Sequence, residues 1–289
     1  MVMKSRILYG YTMLIIATIL WGSSFVFIKL SVENVSAFGY TFYRSFFAVA
    51  MLTPVILFKK MGSIFSYRDF IGGIVTGVAY MFGLLLQGLG TRYTFPSTSA
   101  FITGLNTVHI HTYCAFVKRA YNRYLLAALV LSLIGLFIVT SPSGGIGLGE
   151  ILVFFGSIAW AIQILLVSKY SRHSKNYIDF LYGMFIPSLV IAPWTILYDN
   201  PMNIVLNSWM YIIYLAIACS IVASLLQVIG QRYVAPAIAS VIYLLEPFFA
   251  LLFSISLYGE EIDIVRIVGG IMIVLASYIA MSYAPNAYT

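Results

Sequence analysis

A twelve-residue stretch of the first half of this chain has a counterpart in the second. Leu85, Leu86, Gln87, Gly90, Arg92, Tyr93 and Pro96 recur 140 residues later as Leu225, Leu226, Gln227, Gly230, Arg232, Tyr233 and Pro236. These are seven identities in twelve positions of a 289-residue chain. Upstream the register continues with a spacing of 139, pairing Trp21 with Trp160, Tyr43 with Tyr182, Phe46 with Phe185 and Pro54 with Pro193. A repeat of this length sets the architecture before any motif is read. Where the repeated unit is apolar, it implies a carrier-type assembly whose site lies between the copies.

Hydrophobic residues make up 62% of the chain and charged residues 9%, with a mean hydropathy of +0.98. Soluble domains carry about 25% charged residues, so the solvent of this chain is lipid. The formal charge of +7 does not point to nucleic acid, because the Lys and Arg residues sit in short loops between apolar runs, where they report topology. Cys114 and Cys219 both lie inside apolar runs and read as small core residues rather than a disulfide. The first apolar run exceeds a signal-peptide core and no small-residue cleavage site follows it, so it is expected to stay as a membrane helix.

Runs long enough to cross about 30 Å of hydrocarbon fall near 7–30, 36–58, 69–90, 96–117, 123–141, 148–168, 177–198, 208–230, 236–257 and 264–283. Inside a bilayer these must be helices. The expected fold is therefore an all-α integral membrane protein of ten helices, five in each repeat. The first repeat spans 1–141, a linker 142–147, and the second repeat 148–289. The glycines of 141–149 lack the strand context and lysine of a nucleotide loop, and no Walker A sequence occurs, so no ATPase is expected. With the N-terminus placed in the cytoplasm, twelve of the sixteen Lys and Arg residues fall in cytoplasmic segments, a strong positive-inside bias. Five is an odd number, so the second copy enters the membrane upside down. Lys118 and Arg119 end the fourth span of the first copy, whereas Glu260 and Glu261 follow the matching span of the second. The expected location is the plasma or inner membrane, with both termini cytoplasmic.

The run Leu20-Trp21-Gly22-Ser23-Ser24-Phe25 with Lys29, and Glu246-Pro247 followed by Leu257-Tyr258-Gly259-Glu260, resemble EamA-type members of the drug/metabolite transporter superfamily. The resemblance covers essentially the whole chain. It implies ten helices around a central cavity lined by the first, third, fourth, sixth, eighth and ninth. It also implies secondary transport of small metabolites, frequently amino-acid export. The first repeat departs from the pattern: Thr107 stands where a proline is usual, Arg119-Ala120 replace the closing Gly-Glu, and His109 and His111 follow where the family is apolar.

Glu246 lies near the middle of the ninth span, beside Pro247. A charge at a helix centre costs about 2.5–3.5 kcal/mol, while neutralising a carboxyl at pH 7 costs a comparable amount, about 3.7 kcal/mol. A polar neighbour or a solute can therefore tip the group either way, as a proton-coupling residue requires; the plainer alternative is a structural carboxyl at a proline kink. The repeat places Asn106 opposite Glu246, at the second midplane position. His109 shares a face with Asn106 and is a candidate cavity group; His111 points nearly opposite, and the pair is poorly spaced for a metal. No metal or other cofactor is expected. Trp21 and Trp160 fall near mid-helix, where they can wall a cavity as readily as fill a core. Ser24 and Gln163 follow them within a turn, and Tyr80 and Tyr243 are phenols at matching depth. Arg44 and Lys29 read as structural cations that snorkel or pair, Arg44 with Glu33 or a helix carbonyl. Arg92 and Arg232 read as turn-capping residues, and Gly73 with Gly77 as a close-packing pair.

These readings converge on a secondary active transporter, not an enzyme, that exports small neutral or zwitterionic metabolites such as amino acids, with coupling to protons through Glu246. The alternatives are an uncoupled facilitative carrier, a channel or scramblase, and a carrier of lipophilic drugs. The partners are a small-molecule solute and the lipid bilayer; monomer and homodimer both stay open.

Overall fold

The computed structural model describes residues 2–60, 65–117, 123–140, 147–259 and 264–283, and among these there is helix and no strand. Lys118, Arg119, Glu260, Glu261 and most of the expected linker lie outside the described residues. The first repeat comprises α1 (Val2–Val32), α2 (Ala37–Lys60), α3 (Tyr67–Thr91), α4 (Pro96–Gly104), α5 (Asn106–Phe116) and α6 (Arg123–Thr140). The second comprises α7 (Leu148–Ser171), α8 (Tyr177–Phe185), α9 (Ala192–Tyr198), α10 (Leu206–Tyr214), α11 (Ala223–Gln231), α12 (Pro236–Tyr243), α13 (Leu245–Tyr258) and α14 (Ile264–Tyr283). Joined where they follow one another in sequence without an intervening loop, these described helices make ten rods. Seven stretches are long and apolar enough to cross a membrane, and Arg123–Ile138 and Ile267–Tyr283 are shorter apolar helices.

Four of the rods are interrupted, and local chemistry accounts for most of the breaks. A 3₁₀ segment, Ile186–Ile191, separates α8 from α9. It carries Pro187 and precedes Pro193, and each proline removes a helical hydrogen bond. Pro247 sits in the first turn of α13, just beyond the break at Leu244. The matching break at Leu105, between α4 and α5, has no proline behind it; there Thr107 Oγ1 donates to Ser240 O at 3.0 Å instead. Between α10 and α11 lies a π-helix, Leu215–Val222. Pro96 and Pro236 begin α4 and α12, the position where a missing N–H costs nothing.

The halves interlock by pairs. α3 packs on α7 as α11 packs on α1, α1 packs on α13 as α7 packs on α5, and α6 packs on α14. Each contact joins one repeat to the other, and each has its symmetric twin, as an inverted pair demands. Two equivalent crossings run through glycines. A Cβ on Gly90 would lie 2.5 Å from Gly149 O, and one on Gly230 would lie 3.0 Å from Gly10 O. Gly73 and Gly77 pack within the molecule, against Phe180 O and Met184 O of α8.

The entrances to α2 and α8 are held across the repeats by aspartates. Ser36 N donates to Asp199 Oδ1 at 2.8 Å, and Ser36 Oγ donates to the same carboxylate. Lys175 N and Asn176 N donate to Asp69 Oδ2 at 3.0 and 2.9 Å. Ser36 and Lys175 are equivalent positions, so each repeat caps an entrance of the other with an acid, the charge that a helix N-terminus favours. Lys29 Nζ donates to Thr91 O and Arg92 O at 3.3 and 3.0 Å, a structural tie as the sequence suggests. Cys114 and Cys219 are both buried and form no disulfide.

Candidate functional site

Where the two broken rods meet the interlocked faces of α1, α3 and α7 lies a cavity of about 40 Å³. That volume admits a few waters and no solute. Its wall is polar for a membrane interior. Asn106 is the first residue of α5 and Glu246 the second of α13, so each stands just past a break. The interruptions thus bring the two equivalent midplane positions into one chamber. Trp21 and Ser24 come from α1, Tyr80 from α3, Trp160 and Gln163 from α7, and Tyr243 from α12. Eight of the nine residues singled out from the sequence therefore line one cavity.

The equivalent residues take different local roles. Trp21 Nε1 donates to Cys219 O at 2.9 Å, while Trp160 Nε1 is buried and has no partner among the described residues. Trp21 packs edge-on against Tyr243 and Trp160 against Tyr80, with ring centroids 5.4 and 5.5 Å apart. Ser24 Oγ donates back to Trp21 O at 2.6 Å, so its proton stays within α1. Gln163 and Gln227 exchange reciprocal amide bonds, Nε2 to Oε1, at 2.9 and 3.1 Å. Gln87, the counterpart of Gln227, donates to Thr103 Oγ1 at 3.4 Å.

His109 is the exception. It lies three residues past Asn106, about 4.5 Å along α5 and turned by about 60°, which carries it away from the chamber. Its Nε2 meets Ser157 Oγ at 3.3 Å and its ring packs edge-on against Phe154. His111 Nε2 meets Ala237 O at 3.1 Å on another flank. Among the described residues no group of His, Cys, Asp and Glu is arranged to hold a metal.

Arg44 overturns a sequence expectation. It neither snorkels nor pairs with Glu33; it is 3% exposed and lines the chamber. Nε donates to Ser220 Oγ at 2.7 Å and Nη1 to Tyr40 Oη at 2.6 Å, and the guanidinium lies over the Tyr40 ring. Its counterpart in the second repeat is Gly183, where a Cβ would fall 2.2 Å from Phe70 O. There α8 closes directly on α3. Opposite Arg44 the partner is the π-helix, whose wider turn leaves space for a long side chain and offers Ser220 to it.

The sequence also passed over Gln87, Gln227 and Thr103 as site residues. The signal for the two glutamines was present: both belong to the repeated stretch itself, and an amide kept in both copies inside an apolar span is costly unless it has a use. Arg232 behaves as a turn residue, donating from Nη1 to Ser174 O at 3.2 Å and to Tyr177 Oη at 2.5 Å; the bond to Tyr177 raises its pKa above the ordinary arginine value.

Comparison with known proteins places this chain among transporters. Residues 8–141 and 147–282 each match the model of the EamA-like transporter family. A protein of Archaeoglobus fulgidus named as an uncharacterized transporter is 26% identical over 93% of this chain and 84% of its own. An uncharacterized transporter of Bacillus subtilis is 22% identical over 92% of this chain and 91% of its own. A solved structure 17% identical in sequence superposes with a TM-score of 0.73, covering 96% of this chain and 95% of the other.

Proposed function

Since the chain belongs to the EamA-like transporter family, we propose that it is a secondary active transporter that exports small neutral or zwitterionic metabolites such as amino acids. It works by alternating access and couples to protons at Glu246. The observation that carries this reading is the meeting of Asn106 and Glu246, each just beyond a helix break, in a buried polar chamber shared by both repeats. A rod divided in the middle can pivot there. The paired contacts α3–α7 and α1–α11 supply two symmetric seams, and parting one while the other stays closed exposes the chamber to one side at a time. The small volume argues against an open pore. Glu246 binds a proton in one half of the cycle and releases it in the other, which ties solute movement to the proton gradient.

By this reading the protein lies in the plasma or inner membrane with both termini cytoplasmic, as the distribution of Lys and Arg favours. It carries out no chemical step and needs no cofactor.

Counterflow tests the proposal. Purified protein in liposomes preloaded with a mixture of unlabelled amino acids should accelerate entry of a labelled one. A flux indifferent to the solute on the far side would mean a pore. No flux of any small metabolite tried would remove the carrier reading.

A further inference from the structure

Among the residues that line the chamber, Arg44 and Glu246 alone carry formal charges. They come from different repeats, face the same space, and are not hydrogen-bonded to each other. The hydrogen bonds of Arg44 go to the neutral hydroxyls of Ser220 and Tyr40. Ser220 is fixed in turn by Tyr80 Oη at 2.8 Å. The guanidinium is therefore seated by its own scaffold and kept apart from the carboxylate. Unlike charges in a low-dielectric space attract strongly, so a structure that holds them apart leaves each able to take another partner.

We propose that Arg44 and Glu246 are the two poles of a site for a small solute bearing both a carboxylate and an ammonium. Arg44 takes the carboxylate and Glu246 the ammonium. The assignment rests on the carrier reading above and specifies its binding chemistry. An arginine presents five N–H donors; two are used by Ser220 and Tyr40, and three remain for a carboxylate, which arginine binds best with two parallel bonds. A solute with only a carboxylate leaves Glu246 facing an empty pole. One with only an ammonium leaves Arg44 as an unpaired buried charge, a strongly destabilising condition. A dipolar solute satisfies both and keeps the chamber neutral. The same wall carries the uncharged amides of Gln87, Gln163 and Gln227, which suits an uncharged side chain better than a third ionic group. Because Glu246 serves both ammonium and proton, the two compete for one carboxylate, and a carrier whose solute and proton compete exchanges one for the other.

The test uses the full-length purified protein and equilibrium binding of the twenty protein L-amino acids. The tightest binder is then compared with its carboxamide, which lacks the carboxylate, and with its desamino acid, which lacks the ammonium. Wild type should bind the parent at least tenfold more tightly than either analogue. Arg44→Gln should erase the preference over the carboxamide and keep the preference over the desamino acid; Glu246→Gln should do the reverse. The analogue series on wild type needs no variant, so a misfolded substitution leaves the test intact. Equal binding of parent and analogues, binding of none of the twenty, or an Arg44→Gln protein that still prefers the carboxylate would overturn the assignment. Counterflow separates the two levels: flux with no charge preference sinks the poles alone, whereas absence of flux sinks the carrier.

Discussion

Tyr80 and Ser220 occupy equivalent positions in the two repeats, and their hydroxyl oxygens lie 2.8 Å apart. In an inverted pair, equivalent residues can touch only close to the axis that exchanges the halves. This contact therefore marks the axis, and the chamber lies beside it. Both residues also support Arg44, Ser220 directly and Tyr80 through Ser220. A double-mutant cycle on Tyr80→Phe and Ser220→Ala should give a coupling of about 0.6 kcal/mol, and no more than about 1.7, the range for hydrogen bonds between membrane helices. Thermal unfolding of the four proteins in detergent provides the measurement, and strictly additive effects would refute the contact.

Trp21 and Trp160 should respond differently to the same change. Trp21→Phe removes the bond to Cys219 O and should destabilise the protein by about 1 kcal/mol. Trp160→Phe deletes an N–H that has no partner among the described residues and should cost clearly less. Unfolding midpoints of the two variants, compared side by side, decide the matter.

The close seam between α3 and α8 should tolerate no side chain. A Cβ on Gly73 would fall 2.0 Å from Phe180 O, which is backbone and cannot step aside. Gly73→Ala is expected to cost about 1–3 kcal/mol, as overpacking does elsewhere. Gly156→Ala, whose Cβ would lie 3.4 Å from its nearest neighbours, is the matched control and should be nearly silent. Size-exclusion profiles after graded heating would rank them.

Glu246→Gln should abolish the pH dependence of transport while the protein still folds, since the amide fills the same volume and cannot exchange a proton. Uptake into liposomes measured from acid to alkaline pH is the readout. An unchanged pH profile would place proton coupling elsewhere.

Arg92 and Arg232 are equivalent, and both are exposed at helix ends. With the N-terminus cytoplasmic, Arg92→Cys should react with an impermeant thiol reagent from outside the cell and Arg232→Cys only after permeabilisation. The two native cysteines are buried and give a low background. Labelling of both from the same side would contradict the inverted topology.

Most of the fold was legible because a repeat is a long-range signal. Seven identities at one spacing, together with the parity of the spans, imply two oppositely directed halves without any contact information. The lining of the candidate chamber was legible where polarity conflicts with surroundings, as at Glu246, Asn106 and Gln163. Arg44 was misread because position along a span says nothing about which neighbour a side chain meets. Its inward course depends on a π-helix more than 170 residues away in sequence, and such a widened turn carries no compositional mark. His109 failed for a related reason: a few tens of degrees of helix rotation separate the chamber from the α7 flank, and periodicity does not resolve so small an angle. The break at Leu105 was hidden as well, since the proline that would announce it is replaced by Thr107.

Gly183 stands where a second arginine would make the halves electrically alike. Two matching cations would let a cargo molecule lie either way round, head toward the cell exterior or tail toward it. On the proposed assignment, with a single guanidinium fixed in one half, the cargo keeps the same heading whichever side it boards from. Reversing that heading would need a second cation, and Gly183 supplies none.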